Sequence, residues 1–215
     1  MNKLSETERQ AGVQLLSHLK MFNEAVVYFE QHLDPTFWKS FDKCIERFIK
    51  SHDLAGDANY EHKSYCWLAP KNWVIDNNNW KYWFETKTTV DKELDYTLAV
   101  LTGTGTEQGN FGFEFKVNVA LFGGARNLTS FNNSIPVEHK KQLKDLGLED
   151  RGKGNYFIPV MIDSKVLADC WALHGEFPVE HEVFSPLRSA LDTLLKSTKI
   201  LDVMFRDAIE MSEKA

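Results

Sequence analysis

Cysteine is scarce in this chain and follows no pairing pattern. The 215 residues include three cysteines, Cys44, Cys66 and Cys170, and none of them forms a Cys-x-x-Cys pair. An odd count without a framework spacing excludes a small disulfide scaffold and is typical of a reducing compartment. The pairs His62/Cys66 and Cys170/His174 would have to meet in space to hold zinc, and neither matches a common zinc-site spacing. We therefore expect buried thiols rather than a metal centre.

Long apolar runs and an excess of basic residues are also missing. No segment is apolar over the roughly 20 residues that a membrane helix needs, and the first residues lack the apolar stretch of a signal peptide. The net charge of −6 argues against a broad nucleic-acid-binding surface, which needs a basic footprint. The sequence therefore predicts a soluble, cytoplasmic protein without a membrane partner.

Signatures of nucleophilic and phosphate chemistry are absent from the sequence as well. It contains no Gly-x-Ser-x-Gly, and no cysteine stands in a recognisable Cys/His setting. The glycine-rich segment 103–109 is neither Gly-x-Gly-x-x-Gly nor a phosphate loop, and it precedes a predicted strand instead of a helix. This segment is predicted to be a hairpin loop.

What the chain has in quantity is aromatic residues, with 15 Phe, six Trp and six Tyr. Segments 80–87, 96–101 and 111–119 alternate apolar and polar residues with the period of two that is typical of strands. Their apolar faces carry Trp80, Tyr82, Phe84, Tyr96, Leu98, Val100, Phe111, Phe113, Phe115, Val117 and Val119. Connections near residue 91 and at 106–107 predict an antiparallel meander with one buried aromatic face and one open mixed face. Segments 65–70 and 156–162 suit further strands.

Two other segments repeat apolar residues at alternating steps of four and three, which places them on one side of a helix. The first seam is Leu15, Leu19, Phe22, Val26, Phe29 and Leu33; the second is Leu187, Leu191, Leu194, Thr198, Leu201, Phe205 and Ala208. Ser5 and Glu8 form a predicted capping box at the start of the first helix. Each seam either packs in the core of a monomer or pairs with a second copy of the chain.

The Asp34-Pro35 pair is predicted to end the first helix and, with Asp34 as N-cap, to start another that fades near His52. So short a junction predicts a helical hairpin over residues 5–52. Segment 53–64 and the Asn-rich segment between Gly124 and Pro136 are predicted loops, and short helices are predicted at 136–146 and 164–174.

The order of these elements predicts a single α+β domain over residues 1–215. Its centre is an antiparallel β-meander of three to five strands at 65–122. The N-terminal hairpin at 5–52 and a mixed, mainly helical part at 136–212 pack on it.

The open face of the predicted meander carries a candidate catalytic site. Hairpins centred on the two connections align Lys87 with Asp95 and Asn118, and Glu85 with Thr97 and Lys116. Two Glu-x-Lys sequences then lie side by side near Asp95, which is the residue chemistry of a Mg²⁺-dependent PD-(D/E)xK-type nuclease. In this alternative hypothesis Asp95 and Glu114 hold the metal, Lys116 positions the attacking water, and the substrate is a nucleic acid. A solvated ladder of salt bridges is the other interpretation, because chance alone gives about three acidic-x-Lys matches in such a chain.

Trp83 is a candidate of another kind, because it is a large aromatic residue among Lys81, Glu85 and Glu114 on the same predicted face. Such a composition is typical of a contact hot spot. The other interpretation is that a helix, such as the C-terminal one, covers it. Since no catalytic pattern stands above chance, the sequence predicts a non-catalytic interaction or regulatory protein that needs no cofactor. It would bind a protein partner through Trp83, Lys81 and Glu85, and would be able to self-associate through its long helices.

Overall fold

The computed structural model describes residues 4–76, 79–89, 95–106 and 109–212, with side chains as far as residue 206. A six-stranded antiparallel sheet in the order β1-β2-β5-β6-β8-β7 forms its centre, and β3 and β4 form a separate small ribbon. The strands are Ala55–Asn59 (β1), Tyr65–Ala69 (β2), Val74–Asp76 (β3), Asn79–Trp80 (β4), Tyr82–Thr88 (β5), Phe111–Val117 (β6), Glu149–Gly152 (β7) and Asn155–Val160 (β8).

Helices precede, interrupt and follow this sheet. They are Glu6–Ser17 (α1), Leu19–Tyr28 (α2), Asp34–Ser51 (α3), Tyr60–Lys63 (α4), Thr97–Leu101 (α5), Ala125–Ser134 (α6), Val137–Asp145 (α7), Ser164–His174 (α8) and Ser185–Ser212 (α9). A π-helical turn, Phe29–Leu33, joins α2 to α3, and 3₁₀ turns cover Lys71–Trp73, Val119–Phe122 and Glu182–Phe184. The α+β class, with an antiparallel sheet between N-terminal and C-terminal helices, is confirmed.

The two central strands keep the side-chain alternation that the sequence predicts. Phe84 on β5 and Phe113 and Phe115 on β6 are buried, whereas Glu85 and Lys116 are only partly buried. Period-two patterning therefore separates the core face of the sheet from its other face at these strands.

Helices α3 and α9 cover the core face of the sheet. Trp38 and Phe41 on α3 pack on Phe111, with ring centroids 5.7 and 5.8 Å away. Phe205 on α9 packs on Tyr82 and Phe115 at 5.6 and 5.3 Å. The C-terminal seam is thus core as far as Phe205, since its leucines are buried as well: Leu187, Leu191, Leu194 and Leu201. The side chain of Ala208, the last member of the seam, lies outside the described residues.

Segment 96–101 is the largest error of the sequence analysis, because it forms helix α5 instead of a strand. Leu98 and Leu101, three residues apart, are both buried on one side of that helix. Strand β5 therefore pairs directly with β6, and Glu85 lies opposite Glu114 instead of Thr97. The predicted connections near residue 91 and at residue 107 lie outside the described residues. An alternating run of six residues is too short to distinguish a strand from a single buried helical turn.

The predicted break at Asp34-Pro35 is also wrong. Leu33 and Asp34 both keep right-handed helical backbone angles, and the π-helical turn leads directly into α3. Asp34 is therefore not an N-cap; its carboxylate accepts a hydrogen bond of 2.9 Å from the Trp38 indole N–H. A wider π-helical turn tolerates proline, since it relieves the clash and the missing donor that an α-helix would suffer. The chain consequently runs on as helix where the sequence predicts a turn.

Two predicted loops contain regular structure. Segment 53–64 includes β1 and α4, and the Asn-rich segment is helix α6. The carboxylate of Asp42, buried on α3, accepts the backbone N–H groups of Tyr60 and Glu61 at 2.8 and 3.0 Å. It thereby satisfies the donors at the start of α4, a long-range contact that local sequence does not reveal.

Candidate functional site

The most unusual surface of this protein is its N-terminal arm, which we define as residues 4–33. Of the 17 exposed large apolar side chains in the described part of the chain, nine belong to this arm. Each of the nine is at least 40% exposed: Leu4, Val13, Leu15, Leu16, Leu19, Met21, Phe22, Val27 and Tyr28. Neither α1 nor α2 has a buried residue. So many exposed apolar side chains in one 30-residue segment mark a candidate interaction surface.

The arm seam, defined as the six residues from Leu15 to Leu33 named above, has the same four-three spacing as the buried seam of α9. Phe22 is 47% exposed, whereas Phe205 is fully buried. The core face explains the difference. Six strands about 4.8 Å apart span about 24 Å, which two or three helices about 10 Å apart cover completely. Since α3 and α9 already lie there, the arm finds no place on that face.

The arm is attached to the rest of the protein only near its C-terminal end in the described structure. The ring of Phe29 lies 4.7 Å from that of Tyr96, and the Tyr96 hydroxyl donates a 2.7 Å hydrogen bond to Glu30. This bond raises the pKa of Tyr96, because the proton is shared with a carboxylate. Tyr28 touches Trp171 edge-on, with 6.5 Å between ring centroids. These contacts fix the base of the arm.

The rest of the arm is a regular helix with one irregularity. Ser5 and Glu8 form the predicted capping box, with both reciprocal hydrogen bonds present at 2.7 and 3.2 Å. At His18 the backbone departs from α-helical angles, but its N–H still bonds to the carbonyls of Gln14 and Leu15. Apart from this interruption at His18, the arm is helical from Glu6 to Leu33.

The open face, the side of the sheet opposite to α3 and α9, is the second candidate surface. Strand pairing places Trp67, Glu85, Glu114 and Phe157 in one row across β2, β5, β6 and β8. Side chains at opposed positions share one face of a sheet. Trp67 and Phe157 therefore also lie on this face, which their sequence does not reveal, because the alternation in Tyr65–Ala69 predicts only a short strand.

Glu85 is the centre of a hydrogen-bond network on the open face. Its Oε2 atom accepts from the Trp83 indole N–H at 2.7 Å and from the Tyr65 hydroxyl at 3.2 Å. Burial, followed by the negative charge of Glu85, raises the pKa of Tyr65. Lys116 Nζ lies 3.2 Å from Glu114 and 3.9 Å from Glu85, and so offsets the repulsion between the two facing carboxylates. The geometry is that of a salt-bridge ladder.

Tryptophan rings form a stripe on the open face beside this network. The Trp80 ring lies 4.6 Å from Trp67 and 6.1 Å from Trp83, measured between centroids. The prediction that Trp80 lies on the buried aromatic face is therefore wrong. The chain bends at Lys81 between β4 and β5, and the alternation shifts there. Helix α9 does not cover Trp83, since α9 packs on the opposite, core face. Trp83 itself is partly buried.

The residues of the predicted metal site do not share a sheet face in the way the sequence analysis required. Asp95 precedes helix α5, where it accepts a 2.7 Å hydrogen bond from Thr106, and Glu114 lies on β6 paired with Lys116. The carboxylate directly opposite Glu114 is that of Glu85. In the described ranges, no three His, Cys, Asp or Glu side chains come together as metal ligands. The proposed roles of Asp95, Glu114 and Lys116 therefore stay predictions without the strand that motivated them.

The three thiols are buried and free, and each donates a hydrogen bond to a different acceptor. Burial raises the pKa of Cys44 to about 12, and it also raises the pKa values of Cys66 and Cys170. The Cys66 thiol donates to Asp42 at 3.3 Å, and the Cys170 thiol to the carbonyl of Glu176 at 3.7 Å. Such thiols are poor nucleophiles.

The glycine-rich segment follows α5 instead of joining two strands. Its described residues line a polar cleft of about 620 Å³ together with Thr89, Asn110 and Arg151. Arg151 stacks over Phe157 of the open face, 4.7 Å from the ring centroid, and pairs with Glu149 at 2.6 Å. Its guanidinium is thus already occupied by neighbours within the chain.

No protein family, no curated protein and no solved structure matches this chain. No helix in the described residues is both long and apolar enough to cross a membrane.

Proposed function

We propose that this protein is a non-catalytic interaction protein whose main binding surface is the N-terminal arm. The observation that supports this most directly is the concentration of exposed apolar side chains in the arm, nine within 30 residues. Leaving such surface in water costs about 25 cal/mol per Å² relative to burial, so a partner that covers it gains binding free energy. The self-association that the sequence predicts for the long helices would use this arm.

The open face is the second contact surface in this proposal. Trp83, with Glu85 and the neighbouring Lys81, presents a partly buried aromatic ring with a fixed hydrogen-bond partner. Held in place by Trp80 and Glu85, the ring loses little conformational entropy on contact with a partner, which is a property of hot-spot residues. The open face exposes less apolar surface than the arm, so we assign it the smaller contribution to partner binding.

The alternative, a Mg²⁺-dependent nuclease that uses Asp95, Glu114 and Lys116, has less support. Asp95 precedes helix α5 and belongs to neither β5 nor β6, and Lys116 Nζ lies 3.2 Å from the Glu114 carboxylate. A two-metal or one-metal site needs carboxylates that converge on the ion. The geometry around Glu114 is instead that of a salt-bridge ladder.

The proposal is tested with the full chain immobilised and challenged with a lysate of the source cells. The seam variant Leu19→Gln/Phe22→Gln removes apolar side chains from the seam. Glutamine has a good helix propensity, so the helix should persist. Both replaced side chains are exposed, so no cavity forms. Met21→Gln, on the outer side of the same helix, is the matched control, since Met21 is also exposed. We expect the seam variant to fail to capture proteins that the wild type and the control retain, with thermal unfolding at about 1 μM nearly unchanged. Equal retention by all three proteins would refute the role of the arm.

A further inference from the structure

We infer that the arm seam is covered by the arm of a second copy of this chain, packed antiparallel. This inference rests on the proposed function, because it names the partner of the same surface. The exposure of the seam is the first argument. Its consecutive members Leu15, Leu19 and Phe22 are 51, 55 and 47% exposed. A second arm, being of equal length, covers this apolar strip along its whole extent.

The spacing of the seam residues supports an antiparallel pair. In that orientation, Leu19 of one copy lies beside Phe22 of the other, and Leu15 lies beside Val26, because both pairs of residue numbers add up to 41. The alternating four-three steps thus produce matched layers on both sides of a central two-fold axis.

Charge gives the second argument and selects the orientation. Arg9 and Glu30 flank the seam near its two ends, and both are exposed. They are 21 residues apart, Arg9 on α1 and Glu30 in the π-helical turn, at opposite ends of the arm, so they do not pair within one arm. In the antiparallel pair, Arg9 of each copy lies beside Glu30 of the other, which gives two complementary pairs. A parallel pair instead places Ala25 beside Glu30 and has no such complementarity.

The charge of the arm also disfavours a bilayer as the occupant. Residues 4–33 contain four acidic residues, Glu6, Glu8, Glu24 and Glu30, and two basic ones, Arg9 and Lys20, for a net charge of −2. Amphipathic helices that bind anionic membranes carry basic residues along their polar side. A second protein helix with an equal apolar strip fits better.

The first test is the mass of the full chain by sedimentation over roughly 1–200 μM. We expect a concentration-dependent shift from the 24.8 kDa monomer to twice that mass. Leu19→Gln/Phe22→Gln should weaken self-association at least about 100-fold, because the pair contributes four side chains to the central layers of the dimer. Met21→Gln should change it less than about threefold. A dimer that the seam variant does not weaken would place the interface elsewhere and overturn the inference.

The second test is charge reversal. Arg9→Glu alone and Glu30→Arg alone should each weaken the dimer about tenfold at low salt, since each turns two attractive pairs into repulsive ones. The double variant should return to within about threefold of the wild type. Tyr96→Phe is the control for the hydrogen bond that Glu30 accepts within its own chain. Absence of restoration in the double variant would overturn the antiparallel arrangement.

The two tests separate failure of this inference from failure of the proposed function. A chain that stays monomeric up to 200 μM overturns the inference. If its seam variant still loses a captured protein or binding to vesicles of anionic lipid, the arm is a binding surface for another occupant. If the seam variant loses nothing, the proposed function fails as well.

Discussion

Phe22 and Phe205 occupy equivalent positions in two helices with the same apolar spacing, yet their replacement by alanine should have very different consequences. Phe205 is fully buried, and its ring centroid lies 5.3–5.6 Å from those of Tyr82, Phe115 and Phe131. Removal of such a ring costs about 3–5 kcal/mol through lost transfer free energy and the cavity left behind. Phe22 is 47% exposed, and α2 buries no residue, so Phe22→Ala should cost less than about 0.5 kcal/mol in the monomer.

Thermal unfolding at about 1 μM, where arms are mostly unpaired, checks this difference. In a chain of this size, 1 kcal/mol corresponds to about 2–4 °C, so Phe205→Ala should lower the midpoint by about 10 °C and Phe22→Ala by about 2 °C or less. At about 100 μM, the Phe22 variant should fall further behind the wild type, because binding to a second copy stabilises the folded state. A loss of several kcal/mol for Phe22→Ala at the low concentration would show that the arm packs in the monomer core, and the reasoning would fail.

Three further predictions concern the rest of the molecule. Asp42→Ala should cost about 2–4 kcal/mol in urea unfolding, since it leaves one buried and one partly buried backbone N–H group of α4 without an acceptor; a loss below 1 kcal/mol would contradict that role. The unfolded thiol of Cys44 ionises near pH 9 and the folded one only near pH 12, so between these values the folded state keeps a proton that the unfolded state loses, and stability falls as pH rises. Cys44→Ala should therefore make the alkaline loss of stability less steep by about 1.4 kcal/mol per pH unit, and an unchanged slope in urea titrations at pH 9.5–11.5 would argue against it. Trp83→Ala should lower the free energy of unfolding by about 1 kcal/mol, whereas Phe84→Ala, at the buried neighbour, should lower it by about 3–5 kcal/mol. Trp83→Ala should also weaken partner capture. Equal losses of stability in the two variants would identify Trp83 as a core residue.

Periodicity predicts the centre of this fold well because the sheet buries one complete face. The alternation in Tyr82–Thr88 and Phe111–Val117 separates buried rings from ionic side chains, and the burial of Phe113 and Phe115 confirms it. The same rule is wrong at 96–101, where six residues suit either a strand or one helical turn. It is also wrong at Trp80, because a bend at Lys81 changes the side to which the ring points.

The helices show a different limit of sequence analysis. Spacing identifies both long seams, but it carries no information on which one the sheet has room to cover. The polar composition of Ala125–Ser134 conceals a helix that buries few residues, among them Leu128. The contact between Asp42 and Tyr60 joins residues that are distant in sequence, and so does the opposition of Glu85 and Glu114. The candidate surfaces therefore depend on tertiary positions that local patterns do not determine.

Amide hydrogen exchange of the full chain at two concentrations tests the exposed arm most directly. At about 1 μM, we expect the amides of residues 6–28 to exchange orders of magnitude faster than those of β6, because only helix fraying separates them from solvent. At about 200 μM, these amides should become protected while those of β6 stay unchanged. Protection of the arm equal to that of β6 at the lower concentration would contradict the account.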